Sequence, residues 1–367
     1  MVTVHDVAAR SGVSIATVSR TLRAPHRVSE ETRDRVLAAV HELGYQPNRA
    51  ASGLRGGRTG VIGLVVPDIE NPYFSSLTKG AQASSRERGY GLVVVDTAEQ
   101  ADVEAAEVRA VGPQIDGIIL ASSRLSDAAL AQLAATTTCV LVNRELVSPP
   151  SGPDAFDGAP SAASAPAGAA VPGIVVPTVT IDERAGARAA IGHLHELGHR
   201  RIAYVGGPAR SWSQARRSRA IREAAQLFPG VDLIELSGYA PDADGGREAA
   251  DTVLGGGPTA VIAYNDLVAL GLLARWTEEG VRVPDDVSLV GFDNTYVAEL
   301  SFPRLTSVGA DLREFGETAV TLLLERLAGA ALDEAAMHRE LEPRLIARAS
   351  TAPPRAAAAP ARSREDR

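Results

Sequence analysis

Residues 4–22 read VHDVAARSGVSIATVSRTL and combine small and hydroxylated side chains with an arginine at helical spacing. Val18 would lie on the inner face of a helix, and Ala16, Ser19 and Arg20 on its outer face. Hydroxyl groups can bond to phosphate oxygens, and arginine can donate two parallel hydrogen bonds to a guanine edge. These thin side chains would let the helix enter the major groove of DNA, which is about 12 Å wide. The stretch therefore predicts a DNA-contacting helix, although a helical hairpin packed on the rest of the chain would show the same spacing.

Two short helices with a bend between them would present this surface. Gly12 suits the bend, and Ser14 can cap the second helix. A third helix is predicted from Ser29, a capping residue, to Gly44, a residue that commonly ends helices. We predict an all-α helix-turn-helix domain over residues 1–46.

Charge is distributed unevenly along the chain. The 367 residues carry a net charge of −8, yet residues 1–58 hold nine arginines against five acidic residues. This stretch therefore carries +4 and the remainder −12, as expected if only one end of the chain meets a polyphosphate.

Other features of the composition limit the classes to which the protein can belong. No apolar run reaches the length of a membrane span, and MVTVHDV contains no apolar signal region, so we expect a cytoplasmic protein. Cys139 is the single cysteine, which excludes an internal disulfide, and its apolar surroundings predict a small buried side chain.

From Val61 onwards, short apolar runs alternate with longer amphipathic segments. Runs such as VIGLVV, GIILAS and AVIAYND are continuously apolar, which indicates strands buried on both faces. The series predicts parallel, doubly wound α/β sheets in two lobes, with a cleft between them that suits a small ligand. The predicted boundaries are a linker over 47–59, a core over 60–347 with lobes of about 60–145 plus 294–310 and 174–293 plus 311–347, a disordered insertion over 148–173 and a disordered tail over 348–367.

Several ordered motifs resemble the lactose-repressor (LacI/GalR) family of transcription regulators. They include TVHDVAARSGVSIATVSRTL, VIGLVVPDIENPYFSSL, TIDERAGARAAIGHLHELGHRRIAYVGGP and VPDDVSLVGFDNTYVAELSFPRLTSV, and the resemblance covers roughly residues 3–347 apart from the insertion. It implies a periplasmic-binding-protein-like two-lobe core. It also implies that Ile15, Ala16 and Arg20 meet the bases of double-stranded operator DNA, whereas Ser14, Thr17 and Ser19 mostly contact the backbone.

The linker PNRAASGLRGG is too short and too weak in helix propensity to remain helical alone in water. The resemblance implies a hinge helix that forms when two copies pair on DNA, with Leu54 wedged into the minor groove. Asn48 can cap this helix and Arg49 can reach a phosphate. A plain flexible linker is the alternative.

The resemblance also supplies candidate residues for an effector site in the cleft. Arginine, aspartate and asparagine side chains suit a polyhydroxylated ligand, because each sugar hydroxyl both donates and accepts hydrogen bonds. Structural roles such as helix packing for Phe74 and turn capping for Asp293 are the alternatives. Trp212 is expected to supply a stacking surface that the loop at Ala240 lacks. The candidates are Asn71, Tyr73, Phe74, Ser122, Asn143, Arg144, Trp212, Arg217, Tyr239, Asn265 and Asp293.

Catalytic and cofactor motifs are weak in this sequence. His193, His195 and His199 lack the spacing of metal ligands on one helix face, and no phosphate-binding G-x-x-x-x-G-K-[ST] motif occurs. We therefore expect no metal and no cofactor. The predicted function is a homodimeric transcriptional repressor whose operator affinity responds to a small effector, a sugar or a sugar derivative. A solute-binding protein and a sugar-modifying α/β enzyme with the same two-lobe core are the alternatives.

Overall fold

The computed structural model describes residues 2–23, 25–45, 58–146, 175–331 and 333–355. The chain divides into two compact units, Met1–Gly60 and Val61–Arg367. The predicted hinge residues Asn48, Arg49 and Leu54 and the predicted insertion over 148–173 lie outside the described residues.

The first unit is a small bundle of three α-helices around one apolar core. Its centre contains the buried side chains of Val7, Val18 and Val36, one from each helix. Gly12 ends the first helix with a φ of 69°, a left-handed backbone that glycine adopts without strain. The helices are α1 (Val4–Ser11), α2 (Ile15–Arg23) and α3 (Glu30–Leu43), with a 3-10 turn at Pro25–Arg27.

The second unit contains two six-stranded sheets, which form the two lobes. All the strand pairs of the first sheet are parallel. The fully apolar strands at its centre are buried on both faces, as the continuous apolar runs predict. In order across the sheet, its strands are β11 (His338–Leu341), β5 (Thr178–Ile181), β4 (Cys139–Val142), β3 (Gly117–Ala121), β1 (Val61–Val66) and β2 (Gly91–Asp96).

The second sheet is parallel except at one edge, where β12 pairs antiparallel with β10. This sheet and the first one confirm the predicted doubly wound α/β class. In order, its strands are β12 (Arg344–Ile346), β10 (Thr306–Gly309), β9 (Ser288–Phe292), β8 (Ala260–Ala263), β6 (Arg201–Val205) and β7 (Asp232–Leu236).

Helices cover the faces of both sheets. Those of the first lobe are α4 (Pro72–Glu87), α5 (Ala101–Val111), α6 (Asp127–Thr136), α12 (Leu312–Leu327) and α13 (Glu334–Met337). Those that follow strands of the second lobe, or lead into it, are α7 (Glu183–Glu196), α8 (Trp212–Leu227), α9 (Ala243–Gly255), α10 (Asp266–Glu278) and α11 (Tyr296–Leu300).

The predicted division of the core into lobes is wrong in three places. The strand at Thr178–Ile181 joins the first sheet, and the strand at Thr306–Gly309 joins the second. Helix α12 packs on α4 of the first lobe, where Phe315 is fully buried in the first-lobe core. The helices approach so closely that a Cβ on Gly80 would lie 2.0 Å from the carbonyl oxygen of Arg313. The chain thus crosses between lobes at about residues 182, 310 and 342, and apolar runs alone do not reveal which sheet a strand joins.

The expectation of a disordered tail from residue 348 is also wrong for its first part. Ser350 is fully buried; its carbonyl oxygen accepts a hydrogen bond from the Leu289 amide at 2.8 Å, and its hydroxyl donates to the Leu289 carbonyl at 2.6 Å. Its hydroxyl oxygen also accepts from the Thr306 amide at 2.8 Å. The segment therefore completes the second lobe as far as residue 355, and residues 356–367 lie outside the described part of the chain.

Two smaller expectations concern burial and membranes. Cys139 is buried in the first lobe, which confirms the predicted small buried side chain, and burial raises the pKa of its thiol to about 12. Within the described ranges, no helix has the length and apolar character of a transmembrane span.

Candidate nucleic-acid interface and interlobe site

Helix α2 carries the predicted DNA-contacting face. The Ser14 hydroxyl caps the helix by accepting a hydrogen bond from the Thr17 amide at 3.1 Å. Ala16 and Arg20 are exposed, and Ser19 is half-buried. No salt bridge joins Arg20 to another of the residues that the structure describes. Ile15 is half-buried and packs against the core of the three-helix unit, so it offers less apolar surface to a partner than the sequence predicts.

A cleft between the two lobes collects eight of the eleven predicted effector residues. Parallel strands direct their carboxyl ends to the same edge of a sheet, and residues that follow strands of both sheets line this cleft. The eight residues are Asn71, Tyr73, Phe74, Ser122, Asn143, Arg217, Asn265 and Asp293.

Three of these residues follow strands directly and have a left-handed backbone. The φ angles are 47° at Ser122 after β3, 49° at Asn143 after β4 and 95° at Asp293 after β9. Such conformations cost free energy outside glycine and are concentrated at ligand sites, where the surrounding structure holds them. The strained strand ends therefore support a binding role for this edge of both sheets.

Arg217 is the buried cation of the cleft, with 5% of its side chain exposed. Its Nε and Nη2 atoms donate to the two carboxylate oxygens of Glu183 at 2.8 and 2.9 Å. Its Nη1 atom donates to the carbonyl oxygen of Tyr264 and lies 3.8 Å from Oδ1 of Asp293. The rings of Phe292 and Tyr264 lie 4.4 and 5.2 Å from the guanidinium carbon, which fixes its plane.

Asp293 and Asp266 are buried carboxyl groups in and behind the cleft. Burial raises the pKa of Asp293 to about 7, an effect that the Arg217 guanidinium opposes. Burial raises the pKa of Asp266 to about 6, although Ser307 and Thr295 donate hydrogen bonds to its carboxylate. Asp266 holds the loop after β9, because its Oδ2 also accepts from the Thr295 amide at 2.7 Å.

The raised pKa of Asp293 predicts a pH-dependent stability. The folded chain keeps the Asp293 proton up to about pH 7, whereas the unfolded chain loses it near the ordinary value of 3.8. The folded state therefore binds more protons between these values, and its free energy of unfolding should fall as pH rises from about 4 to about 7. In Asp293→Asn this contribution disappears. The melting temperature of the variant, taken relative to that of wild type, should therefore rise by a few degrees between pH 5 and pH 8. About 1 kcal/mol corresponds to about 2–4 °C for a domain of about 150–250 residues and to less for a larger one.

Differential scanning calorimetry across this pH range checks the effect. Asp232→Asn, at an exposed carboxylate on the edge strand β7, is the matched control and should not show the divergence. If the melting temperatures of wild type and Asp293→Asn changed by the same amount between pH 5 and pH 8, the prediction would be contradicted.

Three predicted effector residues do not line the cleft. Arg144 donates to Asp127 at 2.5 Å and to the Glu145 carbonyl at 2.8 Å, outside the cleft. The ring of Trp212 lies 4.8 Å from the guanidinium carbon of Arg216 in a cation–π contact, and its expected stacking on an effector stays a prediction. Tyr239 packs against the core of the second lobe.

Five cleft residues were not among the predicted ones. Ser213 and Tyr264 lie beside predicted residues in sequence, at the start of α8 and immediately before Asn265. Glu99 and Arg124 lie in the loops after β2 and β3, so the rule about strand ends could have found them. The five are Glu99, Arg124, Ser213, Pro241 and Tyr264.

Direct contacts hold the two lobes together at the cleft. The Ser213 hydroxyl of the second lobe donates to the Asn143 carbonyl oxygen of the first lobe at 3.3 Å. Arg216 on α8 forms an ion pair of 2.6 Å with Glu145 of the first lobe. The space that water can occupy in the cleft is about 30 Å³, whereas small-molecule sites typically measure about 300–1,000 Å³. Entry of a sugar-sized ligand therefore requires side chains to move or the lobes to separate.

A larger groove of about 640 Å³ lies beside the segments that cross between the lobes. Its lining includes exposed residues such as Tyr296, Asp311, Arg313 and Arg344. We assign the candidate site to the smaller cleft, because that is where buried polar side chains from both lobes converge.

The three histidines of GHLHELGH have structural partners. His193 hydrogen-bonds to the Thr351 hydroxyl at 2.9 Å, and His199 bridges the Thr259 hydroxyl at 2.9 Å and the Ala352 carbonyl at 2.8 Å. His195 contacts the Pro229 carbonyl at 3.2 Å. They thereby attach the segment after β12 and a neighbouring loop to the second lobe. Among the described residues, no group of His, Cys, Asp and Glu has the arrangement of a metal site.

A three-helix unit and a two-lobe α/β core define a class of bacterial regulators, and comparison with known proteins agrees. Residues 3–48 match the model of bacterial regulatory proteins of the lacI family, and residues 191–351 match a periplasmic binding protein-like domain. The chain is 31% identical to the HTH-type transcriptional regulator DegA of Bacillus subtilis, over 96% of this chain and 98% of the relative. It is 30% identical to the HTH-type transcriptional repressor CytR of Escherichia coli, over 95% and 96%. The chain belongs to the lacI family of bacterial regulatory proteins.

Solved structures show the same architecture. The lac repressor dimer bound to operator and the anti-inducer ONPF has a TM-score of 0.78 and 26% identity, with 96% of this chain and 99% of the other chain covered. The complex of the transcriptional regulator CelR with cellobiose has a TM-score of 0.65 and 29% identity, with 95% and 100% covered. The resemblance to the LacI family and the predicted fold class are thus confirmed.

Proposed function

We propose that this protein is a cytoplasmic, homodimeric repressor that binds operator DNA through α2 and responds to a small hydroxylated effector in the interlobe cleft. The observation that carries the proposal is the presence of two different binding chemistries in one chain. An exposed helix with hydroxyl groups and Arg20 fits a DNA groove, and a buried cleft of amides, hydroxyls and paired charges fits a polyol.

The interlobe position of the cleft supports the coupling between the two activities. A ligand held by residues of both lobes, such as Asn143 and Arg217, binds one relative arrangement of the lobes better than another. If that arrangement also alters the spacing of paired DNA-binding units, effector and operator must change one another's affinity by the same factor.

Exposed apolar side chains on the second lobe support the homodimer. Tyr296, Leu300 and Phe302 lie within seven residues, and Phe302 is 95% exposed. Contiguous exposed apolar side chains commonly mark protein–protein interfaces. A dimer would also place two α2 helices on a two-fold symmetric operator.

The experiment is a selection of duplex DNA from a random library, followed by titration of the selected duplex with and without sugars. The panel includes D-ribose, D-galactose and cellobiose. We expect one sequence class to bind at least about a thousand-fold more tightly than random DNA, and at least one sugar to change that affinity. Binding of all duplexes with the same weak, salt-sensitive affinity would contradict the proposal. An enzyme or a transport protein with the same core would instead show turnover of a sugar, or sugar binding with no preference among duplexes.

A further inference from the structure

Every guanidinium group that lines the cleft is paired with a carboxylate, among the residues that the structure describes. Arg217 is held bidentately by Glu183, and both side chains are buried, with 5% and 7% exposed. A second carboxyl group, that of Asp293, lies 3.8 Å from Arg217. Nε, Nη1 and Nη2 of Arg217 each already donate one hydrogen bond within the protein.

Arg124 is the other cation in the lining, and it is paired in the same way. Its Nε atom donates to Glu99 at 2.7 Å, and its Nη1 atom donates to the Ser122 carbonyl at 2.8 Å. The buried carboxylate of Glu104 accepts from the Arg124 amide at 2.8 Å and from the Ser123 hydroxyl at 2.5 Å, which anchors this loop. The carboxylates around the cleft therefore match or exceed the guanidinium groups in charge.

We propose that the cleft accepts an uncharged, hydroxylated ligand and rejects phosphate esters and carboxylates, with Glu183 as the residue that sets this selectivity. This inference rests on the effector-binding role proposed above. An anion that enters the cleft loses its hydration, and the paired guanidinium groups supply no excess positive charge in return. The Asn71 side chain already accepts a hydrogen bond from the Tyr73 amide at 3.0 Å, and the Asn143 side chain already donates one to the Tyr73 hydroxyl at 2.6 Å. Each of these neutral amides has further donor and acceptor capacity for sugar hydroxyls, as has the Ser122 hydroxyl in the same lining.

Glu183 rather than Asp293 carries this selectivity because of geometry. The Glu183 carboxylate contacts two guanidinium nitrogens at hydrogen-bonding distance, whereas Asp293 contacts the group only at 3.8 Å. Glu183 lies in the first turn of α7, directly after the crossover from β5, and Arg217 lies on α8, so the pair joins two helices of the second lobe. Removing the Glu183 charge would leave a buried guanidinium with two N–H groups that could receive an anion.

The test uses the full-length protein and inorganic phosphate, with sodium chloride balancing the ionic strength. Binding is measured by isothermal titration calorimetry and by the phosphate dependence of the melting temperature. The variants are Glu183→Gln, Arg217→Gln and the double variant Glu183→Gln/Arg217→Gln, which removes both charges. The double variant is the matched control, because the basic N-terminal unit can also bind phosphate.

We expect wild type and the double variant to show the same weak phosphate response, and Glu183→Gln to bind phosphate at least ten-fold more tightly than either. Saturable binding to wild type that Arg217→Gln abolishes would overturn the proposal. Equal binding by Glu183→Gln and the double variant would overturn it as well.

If circular dichroism shows that Glu183→Gln does not fold, the wild-type comparison decides the matter. D-glucose 6-phosphate should then cause no shift in the melting temperature of wild type that is lost in Arg217→Gln. A shift that is lost in Arg217→Gln would overturn the proposal. The sugar response of operator binding is measured separately, so failure of the proposed function and failure of this selectivity give different results.

Discussion

Replacing Arg20 by alanine should remove most of the preference of this protein for its operator and leave effector binding intact. Arg20 is exposed on α2 and, among the described residues, makes no ion pair that would give it a structural role. A bidentate contact between arginine and guanine discriminates against a wrong base by about 1–3 kcal/mol, or about 5- to 150-fold at each half-site. Fluorescence anisotropy with the selected operator and a scrambled duplex, at one salt concentration, measures the ratio of the two affinities.

Arg35→Ala is the matched control, because it removes the same charge from an exposed position on α3 of the same unit. It should weaken binding to both duplexes alike through the loss of nonspecific electrostatic attraction. Equal loss of preference in the two variants would show that Arg20 acts only as a charge. Loss of effector binding in Arg20→Ala would indicate misfolding.

The sequence predicts much of the cleft because strand ends are easy to locate. Ser122, Asn143 and Asp293 each follow a continuously apolar run, and such runs are unambiguous when both faces of a strand are buried. Parallel strands bring their carboxyl ends to one edge, so polar residues at these points converge although they are far apart in the chain. This argument depends only on local patterns and on the topology of parallel sheets.

The sequence fails where the direction of a side chain decides the outcome. Arg144 follows Asn143 immediately, yet it extends away from the cleft to Asp127. Trp212 and Arg216 lie one helical turn apart on α8, so their side chains meet on the helix surface. Glu183 was not predicted at all, because its partner Arg217 is 34 residues away and only the packing of α7 on α8 brings them together.

The wrong division into lobes has a related cause. The strand at Thr306–Gly309 and the helix at Leu312–Leu327 are adjacent in sequence but belong to different lobes. An apolar pattern shows that a segment is buried, and hydrogen-bonded pairing with a distant strand determines where. Gly80 and Gly316 allow the close contact of the two first-lobe helices, because a Cβ at either position would clash with the facing helix. From the sequence alone, each glycine only lowers the helix propensity of its segment.

Replacing Asp293 by alanine should strongly weaken the effector response and spare DNA binding. Asp293 is buried at the end of β9 in the cleft and lies 3.8 Å from Arg217. Above its raised pKa of about 7 the Asp293 carboxylate is charged, so the titration is made at about pH 8. Hydrogen bonds to a charged group contribute about 1.5–3 kcal/mol each, so loss of one should weaken effector binding by about 10- to 150-fold. Calorimetric titration with whichever sugar alters operator binding measures this loss, and anisotropy with the operator alone checks that DNA binding persists.

The backbone at Asp293 requires a second variant. Its φ of 95° disfavours alanine, so Asp293→Ala adds backbone strain to the loss of the carboxylate. Asparagine tolerates positive φ better and keeps the shape of the side chain, so Asp293→Asn isolates the loss of charge and acceptor capacity. Asp232→Ala, at an exposed carboxylate of the same lobe, should leave effector affinity unchanged. If Asp293→Asn bound the sugar as tightly as wild type, the carboxylate would have no direct part in recognition, and Asp293 would serve only to hold the end of the strand.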